Sequence, residues 1–277
     1  MRFVAKKTAR LWVINAVCTS LYNRAVSSPE SISRVIQTVG LSKLFGQFPA
    51  VEELSLEVNR GEVFGFLGPN GAGKTTTIKM LMGMRAPSSG KADIGGMDCF
   101  ADRVAVKRVV GYLPDVPVFY DYLRGREILR FMGQMHGIER DELERRQTKL
   151  MERLGLTEAA EEYAINYSMG MKKKLGLACA LVHDPPVLIL DEPTNGLDPR
   201  ASRQIQELIT ESAAGGRTIF LSTHLLDMAE KLCHRVGIID RGKLAAVGTR
   251  EELAGKLAPG GTLEEVFFKV TEEEVAE

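Results

Sequence analysis

The chain has 277 residues, 36 of them basic and 36 acidic, and it is 44% hydrophobic and 26% charged. This is ordinary globular composition, and balanced charge creates no overall field for nucleic acid or acidic lipid. No uninterrupted apolar run approaches the roughly 18 residues of a membrane span. The cysteines are too far apart for a Cys-x-x-Cys zinc site, and they fit a reducing cytosol better than a disulfide framework; they are Cys18, Cys99, Cys179 and Cys233.

Residues 1–34 differ from the rest of the chain. They contain a basic start and the apolar run LWVINAVC, a combination that also occurs in signal peptides. We interpret them as an N-terminal extension, either a disordered arm or the product of a misassigned start site, and expect the natural start at or near Val35.

From Val35 onward, short apolar segments alternate with longer amphipathic ones. The short segments are typical of strands buried on both faces of a parallel sheet, and the longer ones have helical spacing. The predicted strands are VIQTVG from residue 35, EVFGFL (62–67), VGYL (110–113), VLIL (187–190) and TIFLS (218–222), and the predicted helices include 73–85, 171–183 and 199–213. This alternation predicts an α/β fold with a mostly parallel central sheet and helices on both faces.

Two regions depart from the alternation. Between about 116 and 166 the pattern is helical, which predicts an inserted helical subdomain within one domain over 35–270. Near the end, TLEEVFFKV has apolar residues at helical spacing, and an acidic tail follows over 271–277.

A glycine-rich loop lies between a predicted strand and a predicted helix. It fits G-x-x-x-x-G-K-[ST] and consists of Gly68, Pro69, Asn70, Gly71, Ala72, Gly73, Lys74, Thr75 and Thr76. Its glycines allow backbone amides to face phosphate oxygens, and the helix dipole adds positive potential. Lys74 is placed to reach the β- and γ-phosphates, and Thr75 to bind Mg²⁺.

Two acids follow the apolar strand VLIL. Asp191 and Glu192 lie at its carboxyl end, where open α/β sheets bind ligands. Neighbours on a strand point to opposite sides, so the two carboxylates can serve different purposes. We expect Asp191 to hold Mg²⁺ and Glu192 to accept a proton from the attacking water.

The stretch YSMGMKKKLG (167–176) opens a basic helix. Taken alone, Ser168 and Gly170 indicate a helix cap. At least two of the three following lysines fit a solvated basic face.

The order of these motifs, followed by LSTH, resembles the nucleotide-binding subunit of ATP-binding cassette (ABC) transporters over about residues 35 to 270. The resemblance is strongest to export-type ATPases whose membrane subunit is a separate chain. It implies a P-loop NTPase fold with an antiparallel β portion near the N-terminus, ATP hydrolysis with Mg²⁺, and a head-to-tail dimer, either a homodimer or a pair with a related ATPase. It also implies a cytoplasmic subunit held on the inner face of the cell membrane by an integral membrane permease. A signal peptide would direct the chain out of the cytosol, away from the ATP that the implied function requires, so we do not interpret residues 1–34 as one.

The resemblance assigns further residues. Ser168, Gly170 and Met171 correspond to the signature motif, which faces the γ-phosphate held by the partner subunit. Asp198 corresponds to a loop acid that communicates across the dimer.

The resemblance also implies roles for three more residues. Phe45 is expected to stack on adenine. His224 corresponds to the switch histidine that contacts the γ-phosphate and positions Glu192. Asp115 stands where the family usually has glutamine, and it can still help to bind Mg²⁺ or orient water.

Two alternatives remain open. The apolar and aromatic run VPVFYDYLRG (116–125) suits docking of a short helix from the membrane partner, or packing within the subdomain itself. A soluble cassette ATPase acting in assembly or on nucleic acid would share the same core. We expect no nucleic-acid partner, because the chain beyond residue 34 has no basic arm.

Overall fold

The computed structural model describes residues 34–258 and 261–272, and the structural statements below concern those residues. The predicted N-terminal extension lies, apart from Arg34, outside this range, as do residues 273–277 of the predicted acidic tail. The first strand begins at Arg34, one residue before its predicted start.

A six-stranded, mostly parallel sheet forms the centre of the fold. Its strands are β3 (Val63–Leu67), β6 (Val110–Leu113), β7 (Val187–Asp191), β8 (Thr218–Thr223), β9 (Arg235–Asp240) and β10 (Lys243–Gly248). The spatial order is β10-β9-β3-β8-β7-β6, and only the edge strand β10 pairs in the antiparallel direction. Strands β3, β7 and β8 are buried along their whole length, as their apolar sequences predict.

A smaller sheet packs beside the central one. It contains β1 (Arg34–Phe45), β2 (Phe48–Asn59), β4 (Ser89–Ile94) and β5 (Met97–Asp98), in the order β2-β1-β4-β5. Every pairing in it is antiparallel, which confirms the expected antiparallel portion near the N-terminus.

Nine helices accompany the sheets in the described range. They are α1 (Lys74–Leu81), α2 (Arg103–Val109), α3 (Gly125–Met135), α4 (Arg140–Arg153), α5 (Met169–Leu181), α6 (Pro199–Ala214), α7 (Leu226–Leu232), α8 (Arg250–Leu257) and α9 (Leu263–Glu272). The predicted helices 73–85, 171–183 and 199–213 correspond to α1, α5 and α6. Helix α1 ends early because Gly83 takes a left-handed conformation with φ 60°. Among the described helices, none has the length and apolar character to cross a bilayer.

The region 116–166 is less helical than its sequence predicts. Helices α3 and α4 and two short 3₁₀ turns, Glu158–Glu161 and Ala164–Asn166, account for its helical part. Residues 114–124 form no helix, because this stretch is rich in Pro, Val, Phe and Tyr residues, which have low helix propensity, and its prolines also disfavour helical conformation in the residues before them. The prediction of an all-helical segment is therefore wrong for its first nine residues.

Candidate nucleotide site

The loop of residues 68–73 joins the end of β3 to the start of α1. Gly71 and Gly73 have φ of 86° and 108°, a left-handed backbone that side chains disfavour. A Cβ at Gly68 would lie 2.3 Å from the carbonyl oxygen of Ile239. Gly71 and Gly73 are thus required by the backbone conformation, and Gly68 is required by the close approach of the Ile239 carbonyl. The Lys74 ammonium donates to the carbonyl oxygens of Gly68 (2.6 Å) and Pro69 (3.1 Å), so the loop curves around a positive charge.

Asp191 and Thr75 meet beside this loop. The Thr75 hydroxyl donates to Oδ2 of Asp191 over 3.0 Å. The Ser222 hydroxyl donates to Oδ1, because Asp191 and Ser222 pair across β7 and β8. Burial raises the pKa of Asp191, while the hydrogen bonds from Ser222 and Thr75 act in the opposite direction. A hydroxyl and a carboxylate at this position are oxygen donors of the type that Mg²⁺ prefers.

The Glu192 carboxylate lies between two other predicted site residues. Its Oε1 is 3.4 Å from the Lys74 ammonium, and its Oε2 is 3.0 Å from Nδ1 of His224. The backbone amide of His224 also donates to Oε2, over 3.4 Å. Glu192 is only 6% exposed, so these contacts act in surroundings that exclude most water.

Asp115 lies at the same edge of the central sheet, after β6. Its Oδ1 accepts from the Lys173 ammonium at 3.2 Å and from the Asn195 side chain at 3.4 Å. Asp115 is close enough to contribute, after burial and Glu192, to the raised pKa of Asp191. The three predicted acids therefore share one site.

Phe45 is placed by the smaller sheet, at the end of β1. The residue is 42% exposed, and the guanidinium of Arg85 lies over its ring at 4.8 Å from the centroid. A partly exposed ring that already carries a planar cation can offer a stacking face to a base.

The predicted dimer residues lie at two helix starts. The Ser168 hydroxyl accepts from the amide of Met171 (3.2 Å), so the simple cap interpretation is correct for this chain by itself. Gly170 lies near Leu197, which a Cβ at Gly170 would meet at 3.6 Å. Asp198 caps α6 by accepting from the amides of Arg200 and Ala201. These backbone hydrogen bonds, chiefly that of Ala201, lower the pKa of Asp198.

Sequence reasoning missed Ser222, Lys173 and Asn195. Ser222 carried a usable signal, because a hydroxyl near the end of an apolar strand should face the end of the next parallel strand. Lys173 carried no such signal, since its neighbours are also lysines.

Comparison with known proteins agrees with this geometry. The ABC transporter family model matches residues 51–195. The chain is 36% identical over 223 residues to the linearmycin resistance ATP-binding protein LnrL of Bacillus subtilis (strain 168), covering 80% of this chain and 72% of that protein. It is 41% identical over 214 residues to the bacitracin transport ATP-binding protein BcrA of Bacillus licheniformis, covering 77% and 69%.

A solved structure described as the ATP-binding subunit of an ABC transporter superposes with a TM-score of 0.81 at 33% identity, covering 85% of this chain and 99% of that one. The fold class predicted from sequence, a P-loop α/β domain with mixed sheets, is therefore confirmed. The phosphate loop, the acids after β7 and the extent of these matches together show that the chain belongs to the ABC transporter family, as one of its ATP-hydrolysing subunits.

Proposed function

We propose that Glu192 is the general base of ATP hydrolysis in this chain. The observation that carries the proposal is the position of its carboxylate, between the Lys74 ammonium at 3.4 Å and the His224 ring at 3.0 Å. His224 would hold the carboxylate oriented toward water, and Lys74 would bind the phosphates and neutralise their charge.

The proposed nucleotide site extends from this centre. The amides of residues 68–76 would bind the phosphates, and Phe45 would stack on the adenine ring. Thr75 and Asp191 would hold Mg²⁺, with Asp115 as a third acid at the same edge, and the metal would supply charge neutralisation at the phosphates.

The dimer arrangement is also a proposal. Ser168 is exposed, Gly170 and Met171 are partly exposed, and Asp198 is exposed, so this surface is available to a second ATPase subunit. Ser168 and the amides at the start of α5 would face ATP bound by that partner. The partner would be a second copy of this chain or a related ATPase.

The loop before α3 is the proposed contact with a membrane subunit. Val118, Tyr120 and Tyr122 are 86%, 74% and 80% exposed, whereas Phe119 packs against the core. The packing interpretation therefore applies to Phe119, and docking better explains the other three, because large apolar side chains this exposed mark interaction sites. The names of LnrL and BcrA refer to linearmycin resistance and to bacitracin transport. We accordingly propose that this chain powers export, on the inner face of the membrane.

The test is gentle solubilisation of membranes from the native host and purification through a tag at the C-terminus. We expect one multi-spanning protein to co-purify in comparable amount. Recovery only from the soluble fraction, without such a partner, would instead favour a soluble cassette ATPase acting in assembly or on nucleic acid.

A further inference from the structure

Lys173 differs from the lysines beside it. It is 1% exposed, whereas Lys172 and Lys174 on the same helix remain partly exposed. Burying an ammonium group is costly unless hydrogen bonds and opposite charge compensate for the lost water. The partners of Lys173 should therefore indicate what it does.

Those partners belong to the edge of the central sheet where the site lies. The Lys173 ammonium donates to the backbone carbonyl oxygen of Glu192 at 2.5 Å and to Oδ1 of Asp115 at 3.2 Å. The two acceptors are close together because β6 and β7 are parallel neighbours that end level, with Leu113 opposite Leu190. One side chain from α5 thus joins the ends of two strands.

The backbone of Glu192 is unusual at this point. Its φ is 47°, in the left-handed region that a residue with a side chain seldom adopts. Its amide donates to the carbonyl oxygen of Ser222 at 3.0 Å, and its carbonyl accepts from Lys173. The strained residue is therefore held on both sides, by β8 and by α5. Backbone strain at a functional site persists only where surrounding contacts impose it.

The direction of the Glu192 side chain depends on this backbone conformation. A relaxed backbone would turn the carboxylate away from its positions 3.0 Å from His224 and 3.4 Å from Lys74. We propose that Lys173 is a positioning residue for ATP hydrolysis, which holds the Glu192 backbone in its productive conformation and forms one charge-balanced unit with Asp115. The inference rests on the proposed role of Glu192 as base.

A simpler role for Lys173 would be to add positive charge for nucleotide binding. The two roles predict different kinetics. A residue that positions the base affects the chemical step, whereas one that attracts ATP affects binding.

The test is steady-state ATP hydrolysis by the full-length chain carrying Lys173→Met, which retains side-chain length and removes the charge. We expect kcat to fall by about 10²-fold, the scale of a misplaced reacting group, with KM for ATP within about twofold of wild type. Lys172→Met is the matched control, and we expect it to keep wild-type kcat and KM. Wild-type kcat in Lys173→Met, or a raised KM with unchanged kcat, would overturn the inference.

A double-mutant cycle tests the charge-balanced unit and remains informative if Lys173→Met folds poorly. Asp115→Asn leaves the buried Lys173 ammonium without its acidic partner, whereas Lys173→Met leaves a carboxylate that is 38% exposed, and the double variant leaves neither charge. We expect the double variant to be more stable to heat than Asp115→Asn, because it removes the unpaired buried ammonium, and to have a kcat above the product of the two single effects. Strictly multiplicative effects on kcat would refute the unit.

Glu192→Gln, measured in parallel, separates the two proposals. If it loses turnover while Lys173→Met keeps it, only the inference about Lys173 fails. Wild-type turnover in Glu192→Gln removes the proposed base, and the positioning role of Lys173 falls with it.

Discussion

Nδ1 of His224 lies 3.0 Å from Oε2 of Glu192, at the point where β8 and β7 end side by side. The backbone amide of His224 approaches the same oxygen at 3.4 Å. The other oxygen of Glu192 accepts no hydrogen bond among the described residues but lies 3.4 Å from the Lys74 ammonium, so an ion pair orients that end of the carboxylate. The proposed base is thus held before substrate arrives, which would reduce the reorganisation needed during reaction.

Glu192→Gln should bind ATP and accumulate as a dimer but lose about 10²–10⁴-fold in turnover, because the amide keeps the shape of the side chain and cannot accept the proton. Phosphate release measures turnover, and sedimentation with ATP measures the dimer. Retention of wild-type turnover would exclude Glu192 as the base.

His224→Ala should lower kcat by about tenfold or more while leaving Mg·ATP binding nearly unchanged, since in the proposed site the ring orients Glu192 and the phosphate loop is untouched. His234→Ala provides a comparison, because His234 accepts a hydrogen bond from the amide of Val63 and has no contact with Glu192 among those described. We expect that control to alter thermal stability rather than kcat. Equal loss of kcat in both variants would argue against a specific role for His224.

Acid should destabilise the fold through the stacked rings of His136 and His183, whose centroids are 3.7 Å apart. Burial, together with His136, lowers the pKa of His183 to about 3, below its ordinary value of 6.5. Between these values the unfolded chain binds a proton that the folded chain does not, so the free energy of unfolding falls as pH decreases, by at most about 1.4 kcal/mol per unit.

Urea unfolding at pH 7, 6, 5 and 4 measures this dependence. His183→Phe, which keeps an aromatic ring and cannot be protonated, should show a shallower loss of stability toward low pH. Parallel curves for the variant and wild type would contradict the assignment to His183.

Replacing Val118, Tyr120 and Tyr122 together by serine should abolish co-purification of a membrane subunit and leave the ATPase activity of the isolated chain unchanged. Exposed side chains of this kind contribute little to folding, typically within about 0.5 kcal/mol each. Val104→Ser is the control, because Val104 is also exposed (63%) but lies on α2. Co-purification that survives the triple change would place the contact elsewhere.

Much of the site could be predicted from the sequence because its requirements are local. Gly71 and Gly73 have backbone conformations that almost only glycine adopts, and an apolar strand ending in Asp191 and Glu192 brings two acids to the ligand-binding edge. The extent of helix in 116–166 was predicted less well, because the helical pattern of the later residues was extended over 116–124, whose Pro, Val, Phe and Tyr residues have low helix propensity.

The sequence by itself determined the α/β alternation, the phosphate loop and the two acids after β7, since each depends on a short pattern of residue types. Only the tertiary structure decided which of three consecutive lysines is buried, and that Ser222 faces Asp191. It also placed Lys173 between Asp115 and Glu192. The Lys173 contacts depend on how α5 packs against the ends of β6 and β7, and the Ser222 contact depends on the pairing of β7 with β8. No local pattern of residue types encodes these relative positions.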